Sequence, residues 1–325
     1  MNPPKVLVTR RIPQAGLRLI EENCEVILWD KDIPPDEAEI ITLVPGVSGI
    51  LSLLTDPITA RVMDAVGPRL KVISNYAVGF NNIDLPAANK RGIAIGNTPD
   101  VLTDATADFA FTLLLSAARR IIEAHNTVRN GEWKTWGPTT LLGKDLVGAT
   151  LGIIGFGRIG QAMAKRALGF DMRVLFYSPT AEEIPGTRKV ELDTLLAESD
   201  FISLHTPLTE QTRHMINAAA FEKMKTDAIL INTARGDIID QDALYQALKN
   251  KRILSAAIDV TSPEPLPMDS PLLELDNLLI SPHIGSATTI ARDKMAIMAA
   301  NNLLAGLRGE PLPFMVNPQI YPPNQ

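Results

Sequence analysis

The stretch "LGIIGFGRIGQAMAKRA" constrains the fold of this 325-residue chain more than any other segment. An apolar run leads into Gly155, Gly157 and Gly160, spaced as G-x-G-x-x-G, and an amphipathic helical pattern follows. The first glycine permits a tight turn, the second lets the backbone approach a pyrophosphate, and the third lets helix and strand pack closely. The phosphates then meet the positive end of the helix. This context predicts a Rossmann βαβ unit that binds a dinucleotide.

Short apolar runs alternate with helical patterns along the whole chain, which predicts parallel sheets built from βαβ units. The predicted strands besides the one before Gly155 are 5–9, 25–29, 49–54, 71–74, 173–177, 201–205, 228–233, 254–259 and 277–281. The predicted helices include 13–22, 57–66, an uninterrupted helix over 103–129, and 287–307, and we expect the Pro-rich tail 310–325 to run extended over the surface. The fold class is therefore α/β with two doubly wound parallel-sheet domains, one of residues 1–100 plus 287–325 and one of residues 101–286.

Composition excludes several classes of function. The net charge of -6 argues against nucleic acid as a partner, because phosphate binding needs a basic surface. Cys24 is the only cysteine, so an intrachain disulfide and a cysteine-based zinc site are excluded, and no His/Asp/Glu cluster has metal-ligand spacing. We see no signal-like apolar segment at the N-terminus and no apolar run of about 18 residues. We therefore expect a cytoplasmic protein with no metal and no membrane contact.

Four charged residues follow three neighbouring strands. Arg235 comes just past one buried strand, Asp259 ends the next with Glu264 in the loop beyond, and His283 follows the third. Ligands of open parallel sheets bind beyond the carboxyl ends of the strands, so these side chains should face the cofactor. A histidine can protonate the oxygen of a keto acid while a hydride reaches its carbon, and Glu264 would orient the ring and hold its proton. Arg235 can bind the substrate carboxylate and polarise the keto oxygen, while Asp259 supports the nicotinamide end or the network.

The turn after the second Rossmann strand bears on the choice of coenzyme. In "VLFYSPTAEE", Ser178 and Thr180 stand where an acid would hold the ribose 2′-hydroxyl of NAD, and Glu182 and Glu183 come later. Without that carboxylate a 2′-phosphate is not repelled, and both hydroxyls can donate hydrogen bonds to it. No Arg or Lys sits in the turn, although Arg158 at the helix start can reach it. We therefore predict NADP, with use of NAD left open.

These segments carry a family resemblance. "GFGRIG", "NTARGD", "AAIDVTSPEP" and "SPHIGSAT" resemble the D-isomer-specific 2-hydroxyacid dehydrogenases, and within them the glyoxylate/hydroxypyruvate reductases. The match runs nearly end to end through "SNYAVGFNNID", "TPDVLTDATAD", "NGEWKTW" and "NNLLAGLRGEPLP". The resemblance implies a flavodoxin-like substrate domain and a Rossmann NAD(P)-binding domain with the active site in the cleft between them. It implies Arg235, Glu264 and His283 as the catalytic residues, with His283 as acid/base in reducing glyoxylate or hydroxypyruvate to glycolate or glycerate.

The resemblance also implies contact residues and a partner. The substrate contacts are Leu53, the backbone at Val78 and Gly79, Trp136, Arg235, His283 and Ser286. The coenzyme contacts are Thr103, Gly155, Gly157, Arg158, Ile159, Gly160, Ser178, Thr180, His205, Thr206, Pro207, Thr233, Ala234, Asp259 and Gly285. A homodimer is implied, in which the loop that bears Trp133 and Trp136 closes the pocket of the partner subunit.

Two alternatives stay open. The substrate can be another small 2-keto acid, such as 2-ketogluconate or pyruvate, because the pocket loops decide this and one sequence does not rank them. The chain can also be a non-enzymatic NAD(P)-sensing binding protein of the same fold, as in transcriptional corepressors. An intact Arg–Glu–His set does not separate a sensor from an enzyme, so turnover must be measured.

Overall fold

The computed structural model describes residues 3–321, and the chain divides into two compact units. The first unit consists of Met1–Leu102 with Ala287–Gln325, and the second of Thr103–Ser286. Each unit is an α/β fold around its own parallel sheet.

The first unit contains a five-stranded sheet in the order β2-β1-β3-β4-β5, with every pair parallel. This is the strand order of flavodoxin-like folds. The strands are β1 (Lys5–Val8), β2 (Glu25–Leu28), β3 (Gly49–Ser52), β4 (Val72–Asn75) and β5 (Ala94–Gly96). The helices are α1 (Gln14–Glu21), α2 (Glu37–Leu43), α3 (Ala60–Val66), α4 (Leu85–Lys90) and the last helix of the chain, α11 (Thr289–Arg308).

Helix α11 packs tightly on the sheet and on α1 of the first unit. A Cβ on Gly16 would lie 2.3 Å from the backbone of Ala296, so only glycine permits the close crossing of α1 and α11. The Ser74 hydroxyl donates to the carbonyl of Ala299 at 2.8 Å. The C-terminal helix is therefore part of the core of this unit.

The second unit contains a seven-stranded parallel sheet in the order β12-β11-β10-β9-β6-β7-β8, which extends the Rossmann order by one strand. The strands are β6 (Thr150–Ile154), β7 (Arg173–Tyr177), β8 (Thr187–Lys189), β9 (Phe201–Leu204), β10 (Ile229–Asn232), β11 (Ser255–Ile258) and β12 (Leu278–Ile280). The helices are α5 (Thr103–Ala118), α6 (Ile121–Arg129), α7 (Arg158–Gly169), α8 (Leu192–Glu198), α9 (Ala218–Phe221) and α10 (Gln241–Lys249).

Two apolar clusters cover the two faces of this sheet. On one face α5 and α7 contribute buried residues such as Leu114 and Met163, and Phe156 stacks on Phe176 with ring centroids 3.8 Å apart. On the other face α8, α9 and α10 bury residues such as Leu195 and Phe221. Because both faces are covered, the central strands are mostly apolar, and most polar side chains lie in the loops that follow them.

The prediction of one uninterrupted helix over 103–129 is wrong. Helix α5 ends at Ala118 and α6 begins at Ile121, with Arg120 between them at φ 51°. The carbonyl of Ala118 accepts a hydrogen bond from the N–H of Lys144 at 2.8 Å, and a Cβ on Gly143 would lie 2.3 Å from the same oxygen. The contact with Gly143 and Lys144 therefore ends helix α5 at this point. No residue pattern within 103–129 predicts the break.

The described part of the tail also differs from the expectation of a surface segment. Leu312 and Asn317 are buried, and Met315 bridges Gly96 in antiparallel fashion. The Asn317 side chain accepts from the N–H of Ile95 at 2.8 Å and donates to the carbonyl of Ile93 at 2.9 Å. The tail thus covers the open edge of β5, which would otherwise present unpaired backbone groups. Residues 322–325 of the predicted tail lie outside the described residues.

Within residues 3–321, no helix has the length and apolar character that a membrane crossing requires.

Candidate active site

The glycine-rich turn after β6 requires glycine at its first and third positions. Gly155 has φ +92°, and a Cβ there would lie 2.5 Å from the N of Thr206 and 2.6 Å from the carbonyl carbon of His205. A Cβ on Gly160 would lie 2.2 Å from the oxygen of Gly155. The turn after β6 and the loop after β9 therefore touch at the backbone level, which places His205, Thr206 and Pro207 beside the turn.

The middle glycine has a different explanation. Gly157 is the N-cap of α7 with an ordinary φ of -75° and no side-chain cap, and no described atom lies within 4 Å of where its Cβ would be. Neither the backbone conformation nor the protein packing requires glycine there. Gly157 directly precedes the first turn of α7, at Arg158 and Ile159, and the N-terminal turn of a helix is where a pyrophosphate is bound. The turn therefore fits a dinucleotide.

A second observation supports this fit. The hydroxyl oxygen of Thr233, just past β10, is buried and has no hydrogen-bond partner among the described residues. Buried hydroxyls normally have a partner, so this one is available to a bound cofactor at the same edge of the sheet. No group of three or more His, Cys, Asp or Glu residues in the described chain is arranged to hold a metal ion.

The turn after β7, predicted to bind the ribose 2′ group of the coenzyme, contains a cation, Lys189, that was not predicted from the sequence. Ser178 is buried and its hydroxyl accepts from the N–H of Ala181 at 3.3 Å, while Thr180 is exposed. The ammonium of Lys189 donates to the carbonyl of Ala181 at 2.9 Å, and the N–H of Lys189 donates to the Glu183 carboxylate at 2.8 Å. Lys189 reaches this turn because β8 pairs with β7 and sets Lys189 opposite Phe176.

The structure brings together the three predicted catalytic side chains. The His283 ring meets Glu264 with 2.9 Å between Nδ1 and Oε2, and the other Glu264 oxygen accepts from the N–H of Thr261 at 3.0 Å. Burial raises the pKa of Glu264, but the hydrogen bond with His283, the Thr261 N–H and the nearby Arg235 together bring that pKa below its ordinary value. Glu264 is therefore ionised at neutral pH.

Arg235 is held in place by the loop that follows β10. The buried Asn232 side chain donates to the carbonyl of Arg235 at 2.8 Å and accepts from the N–H of Ala234 at 2.9 Å. A Cβ on Gly236 would lie 2.1 Å from the carbonyl oxygen of Thr261, so glycine lets this loop approach the one that carries Glu264. Burial lowers the pKa of the half-buried Arg235, and the Glu264 carboxylate acts in the opposite direction.

Asp259 organises the loop that carries His283. Its buried carboxylate accepts from the Ser281 hydroxyl at 2.6 Å and from the N–H groups of Ile284 at 2.9 Å and Gly285 at 2.7 Å. The N–H of His283 donates to the carbonyl of Asp259 at 2.9 Å, and His283 itself has φ 54°. A left-handed histidine is uncommon and costs energy, so the surrounding hydrogen bonds hold it there. Asp259 thus acts on the position of the ring.

The second histidine at this edge has a different character. The Nε2 of His205 lies 2.8 Å from the Ser203 hydroxyl, and burial lowers the pKa of His205 to about 4. Its ring is therefore neutral at neutral pH and does not serve as a proton donor there.

The remaining predicted residues fall in both units. Thr103 begins α5, Ala234 precedes Arg235, and Gly285 and Ser286 follow His283 at the end of the second unit. In the first unit Leu53 follows β3, and its N–H donates to the buried Asp56 carboxylate at 2.6 Å. Val78 and Gly79 follow β4. Trp136 lies in the loop after α6 with 79% of its surface exposed.

Together, a seven-stranded Rossmann sheet with a dinucleotide turn and an Arg–Glu–His set beyond its strands define an NAD(P)-dependent dehydrogenase. Residues 111–285 match the sequence model described as D-isomer specific 2-hydroxyacid dehydrogenase, NAD binding domain. The chain belongs to the D-isomer specific 2-hydroxyacid dehydrogenase family.

Named relatives and solved structures are similar to almost the whole chain. A glyoxylate reductase of Korarchaeum cryptofilum is 51% identical over 98% of this chain and 97% of its own length. A Thermus thermophilus protein of known structure has a TM-score of 0.91 at 47% identity, covering 96% of this chain and 99% of that one. An NADPH-dependent glyoxylate/hydroxypyruvate reductase of Sinorhizobium meliloti, solved with NADP and malonate, has a TM-score of 0.88 at 30% identity and covers 100% of both chains.

The open environment of Gly157 predicts the effect of one added methyl group. Gly157→Ala should leave the free energy of unfolding nearly unchanged, because its Cβ meets no described atom, and should weaken coenzyme binding at least about tenfold by filling the approach to the pyrophosphate. Fluorescence titration with NADPH and with NADH measures the affinity, and urea unfolding measures the stability. Gly169→Ala, at the other end of α7 and also without a described neighbour within 4 Å, is the matched control. Unchanged affinity in Gly157→Ala would contradict the placement of the pyrophosphate.

Proposed function

We propose that this protein reduces glyoxylate or hydroxypyruvate to glycolate or glycerate with a reduced nicotinamide coenzyme. The observation that carries the proposal is the contact of His283 with the ionised Glu264, beside Arg235, at the carboxyl edge of the Rossmann sheet. The names of the relatives from K. cryptofilum and S. meliloti support this substrate class.

Arg235, His283 and Glu264 have separate roles in the proposed reaction. Arg235 binds the carboxylate of the 2-keto acid and polarises its keto oxygen, because its forked head can donate two hydrogen bonds and stays charged. When bound, the reduced coenzyme supplies a hydride to the keto carbon. His283 gives a proton to the keto oxygen as negative charge grows there. Because Glu264 engages Nδ1, the proton leaves from Nε2, and Glu264 keeps the ring in the orientation this needs.

An absorbance assay tests this function directly. Oxidation of NADPH and NADH is followed with glyoxylate and then with hydroxypyruvate as substrate. Turnover with either acid supports the proposal. Turnover confined to pyruvate or 2-ketogluconate would replace the substrate, and coenzyme binding without turnover on any of these acids would favour a sensor.

The role of His283 gives a sharper prediction. His283→Ala should lower kcat by about 10²- to 10⁴-fold, the usual contribution of a positioned acid, while NADPH affinity stays near that of the wild type. Steady-state kinetics and fluorescence titration measure the two quantities. His125→Ala, an exposed histidine on α6, is the control and should keep full activity. An unchanged kcat in His283→Ala would refute the assignment of the proton donor.

We propose NADPH as the preferred coenzyme. Ser178 stands where NAD-specific relatives of the fold carry an acid, and Lys189 brings a cation to the same turn. Glu183 lies close to the backbone of Lys189, so the turn holds one negative charge as well. A 2′-phosphate at this turn would interact with the Lys189 ammonium, which sits on an exposed side chain.

Removal of that ammonium should change the preference between coenzymes. Lys189→Ala should raise the KM for NADPH by about fivefold to tenfold and leave the KM for NADH within about twofold, since only NADPH carries the 2′-phosphate. Binding of 2′,5′-ADP compared with 5′-AMP gives a readout that is independent of turnover. Arg188→Ala is the control, because Arg188 lies on the same strand but pairs with Glu198. Equal effects on the two coenzymes would rule out contact with the 2′-phosphate.

We also propose a homodimer formed through the second unit. Large apolar side chains are exposed on α6 and the loop after it, namely Ile121, Ile122, Val128, Trp133, Trp136 and Leu142. A groove of about 510 Å³ between α5 and the edge strand β12 continues this surface at Ile122. Exposed apolar patches of this kind mark protein interfaces, and a second copy is the occupant proposed here. Location in the cytoplasm, expected from the sequence, stays a prediction.

The dimer proposal is tested by removing the two tryptophans. The double variant Trp133→Ala with Trp136→Ala should weaken dimerisation by at least about tenfold per residue, since buried tryptophans are frequent hot spots of interfaces. Sedimentation velocity over a range of protein concentrations measures the shift towards monomer. Met268→Ala removes another highly exposed apolar side chain of the same unit and should leave the dimer intact. A wild-type protein that sediments as a monomer would contradict the proposal.

A further inference from the structure

Three consecutive carbonyl groups after β4 are held by the first unit. The carbonyl of Ala77 accepts from the N–H of Thr98 at 2.8 Å. The carbonyl of Val78 accepts from the side-chain amide of Asn97 at 2.8 Å, and that of Gly79 accepts from the side-chain amide of Asn75 at 2.8 Å. The peptide planes of the Ala77–Phe80 loop are therefore fixed one after another.

The N–H directions follow from the geometry of the peptide group. In a trans peptide the C=O and the next N–H point in opposite directions, and these peptides are trans. The carbonyl of Val78 shares its plane with the N–H of Gly79, and the carbonyl of Gly79 shares its plane with the N–H of Phe80. These N–H groups therefore point away from Asn97 and Asn75. Successive backbone N–H groups turned outwards make a site for an anion.

The side chain of Asn75 is itself fixed by a buried network. Asn75 is fully buried, and its Oδ1 accepts from the Ser52 hydroxyl at 2.9 Å. Its amide also donates to Asn82 Oδ1 at 3.1 Å. The amide of Asn82 donates in turn to the carbonyls of Leu53 at 2.9 Å and Asp56 at 3.0 Å. The network ties the loop after β4 to the loop after β3, so that Leu53 and Gly79 keep a fixed relation.

Asn97 is fixed through its backbone. Its carbonyl accepts from the side chain of the buried Asn302 at 2.9 Å, and its N–H donates to the carbonyl of Phe314 at 3.3 Å. The side-chain amide is half-buried and spans to Val78. Because the anchors of Asn97 lie on α11 and on the described tail, the orientation of the Val78–Gly79 peptide depends on a long-range contact.

We propose that Asn97 and Asn75 are positioning residues for the carboxylate of the substrate. They act through the backbone. Asn97 holds the carbonyl of Val78 and so directs the N–H of Gly79, while Asn75 holds the carbonyl of Gly79 and so directs the N–H of the adjacent Phe80. The inference rests on the proposed function and on the expectation, taken from the family resemblance, that the backbone at Val78 and Gly79 also binds the carboxylate of the 2-keto acid. A residue that only stabilised the fold would change stability without selective loss of carboxylate binding.

Removal of the Asn97 amide tests this inference. Asn97→Ala should raise the KM for glyoxylate and the dissociation constant for oxalate in parallel, each by about tenfold, as one charge-assisted hydrogen bond is misdirected. The value of kcat should change by less than about threefold, because the carboxylate is bound alike before and during the reaction. NADPH affinity should not change. Asn23→Ala is the control, since Asn23 also donates to a backbone carbonyl, that of Leu19 at 2.8 Å, in the same unit.

A second variant and a second measurement keep the outcomes distinct. Asn97→Asp places an oxygen against the Val78 carbonyl without a donor, so carboxylate binding should fall further than in Asn97→Ala. Unchanged KM and oxalate affinity in both variants, or a lowered melting temperature as the only effect, would overturn the inference. Failure of the wild type to reduce glyoxylate would refute the proposed function alone. Calorimetric binding of oxalate to the enzyme–NADPH complex needs no turnover, and its absence from the wild type would refute the carboxylate site as well.

Discussion

Parallel pairing of the strands is the constraint on which the site depends. Every strand pair in the described residues runs parallel, so the carboxyl ends within each sheet meet at one edge. In the second unit that edge receives Gly155, His205, Arg235, Asp259 and His283, each from the loop after a different strand. Since crossover helices cover both faces, the central strands are mostly apolar, and the side chains of the candidate catalytic set lie in the loops after them. The sheet therefore sets the position of the candidate functional side chains, and the loop sequences set which side chains these are.

Much of the fold could be predicted because buried parallel strands are short continuous apolar runs. The strand predicted at 173–177 is observed at Arg173–Tyr177, and the other predicted strands differ from the observed ones by one or two residues at either end. The strand Thr187–Lys189 has no such signal, because its three polar residues take their place from pairing with β7. Because that strand was not predicted, the position of Lys189 beside the turn could not be predicted either. Helix ends that are set by distant contacts, such as the end of α5 at Ala118, likewise cannot be predicted from the local sequence.

In the candidate site, too, the sequence predicts which residues are present but not the contacts that hold them in position. Arg235, Glu264 and His283 could be predicted as catalytic residues from the residue types that follow neighbouring strands and from the family resemblance. Their geometry depends on buried polar side chains that no motif identifies as supports, such as Asn232, which holds the Arg235 loop. Asp259 was expected to support the nicotinamide end of the coenzyme or the hydrogen-bond network. In the structure its carboxylate accepts hydrogen bonds from the loop that carries His283. In the second unit, buried polar side chains thus hold the backbone of the loops that carry the candidate site.

The two histidines at the sheet edge have different partners. His205 is half-buried beside Ser203, and desolvation lowers its pKa to about 4, so its ring is uncharged at neutral pH. His283 keeps 27% of its side-chain surface exposed and faces a carboxylate whose pKa is below its ordinary value. Glu264 is ionised at neutral pH and can therefore accept a hydrogen bond from Nδ1 of His283. The carboxylate of Glu264 therefore fixes the orientation of the ring, which is the support that the proposed role of His283 as proton donor needs.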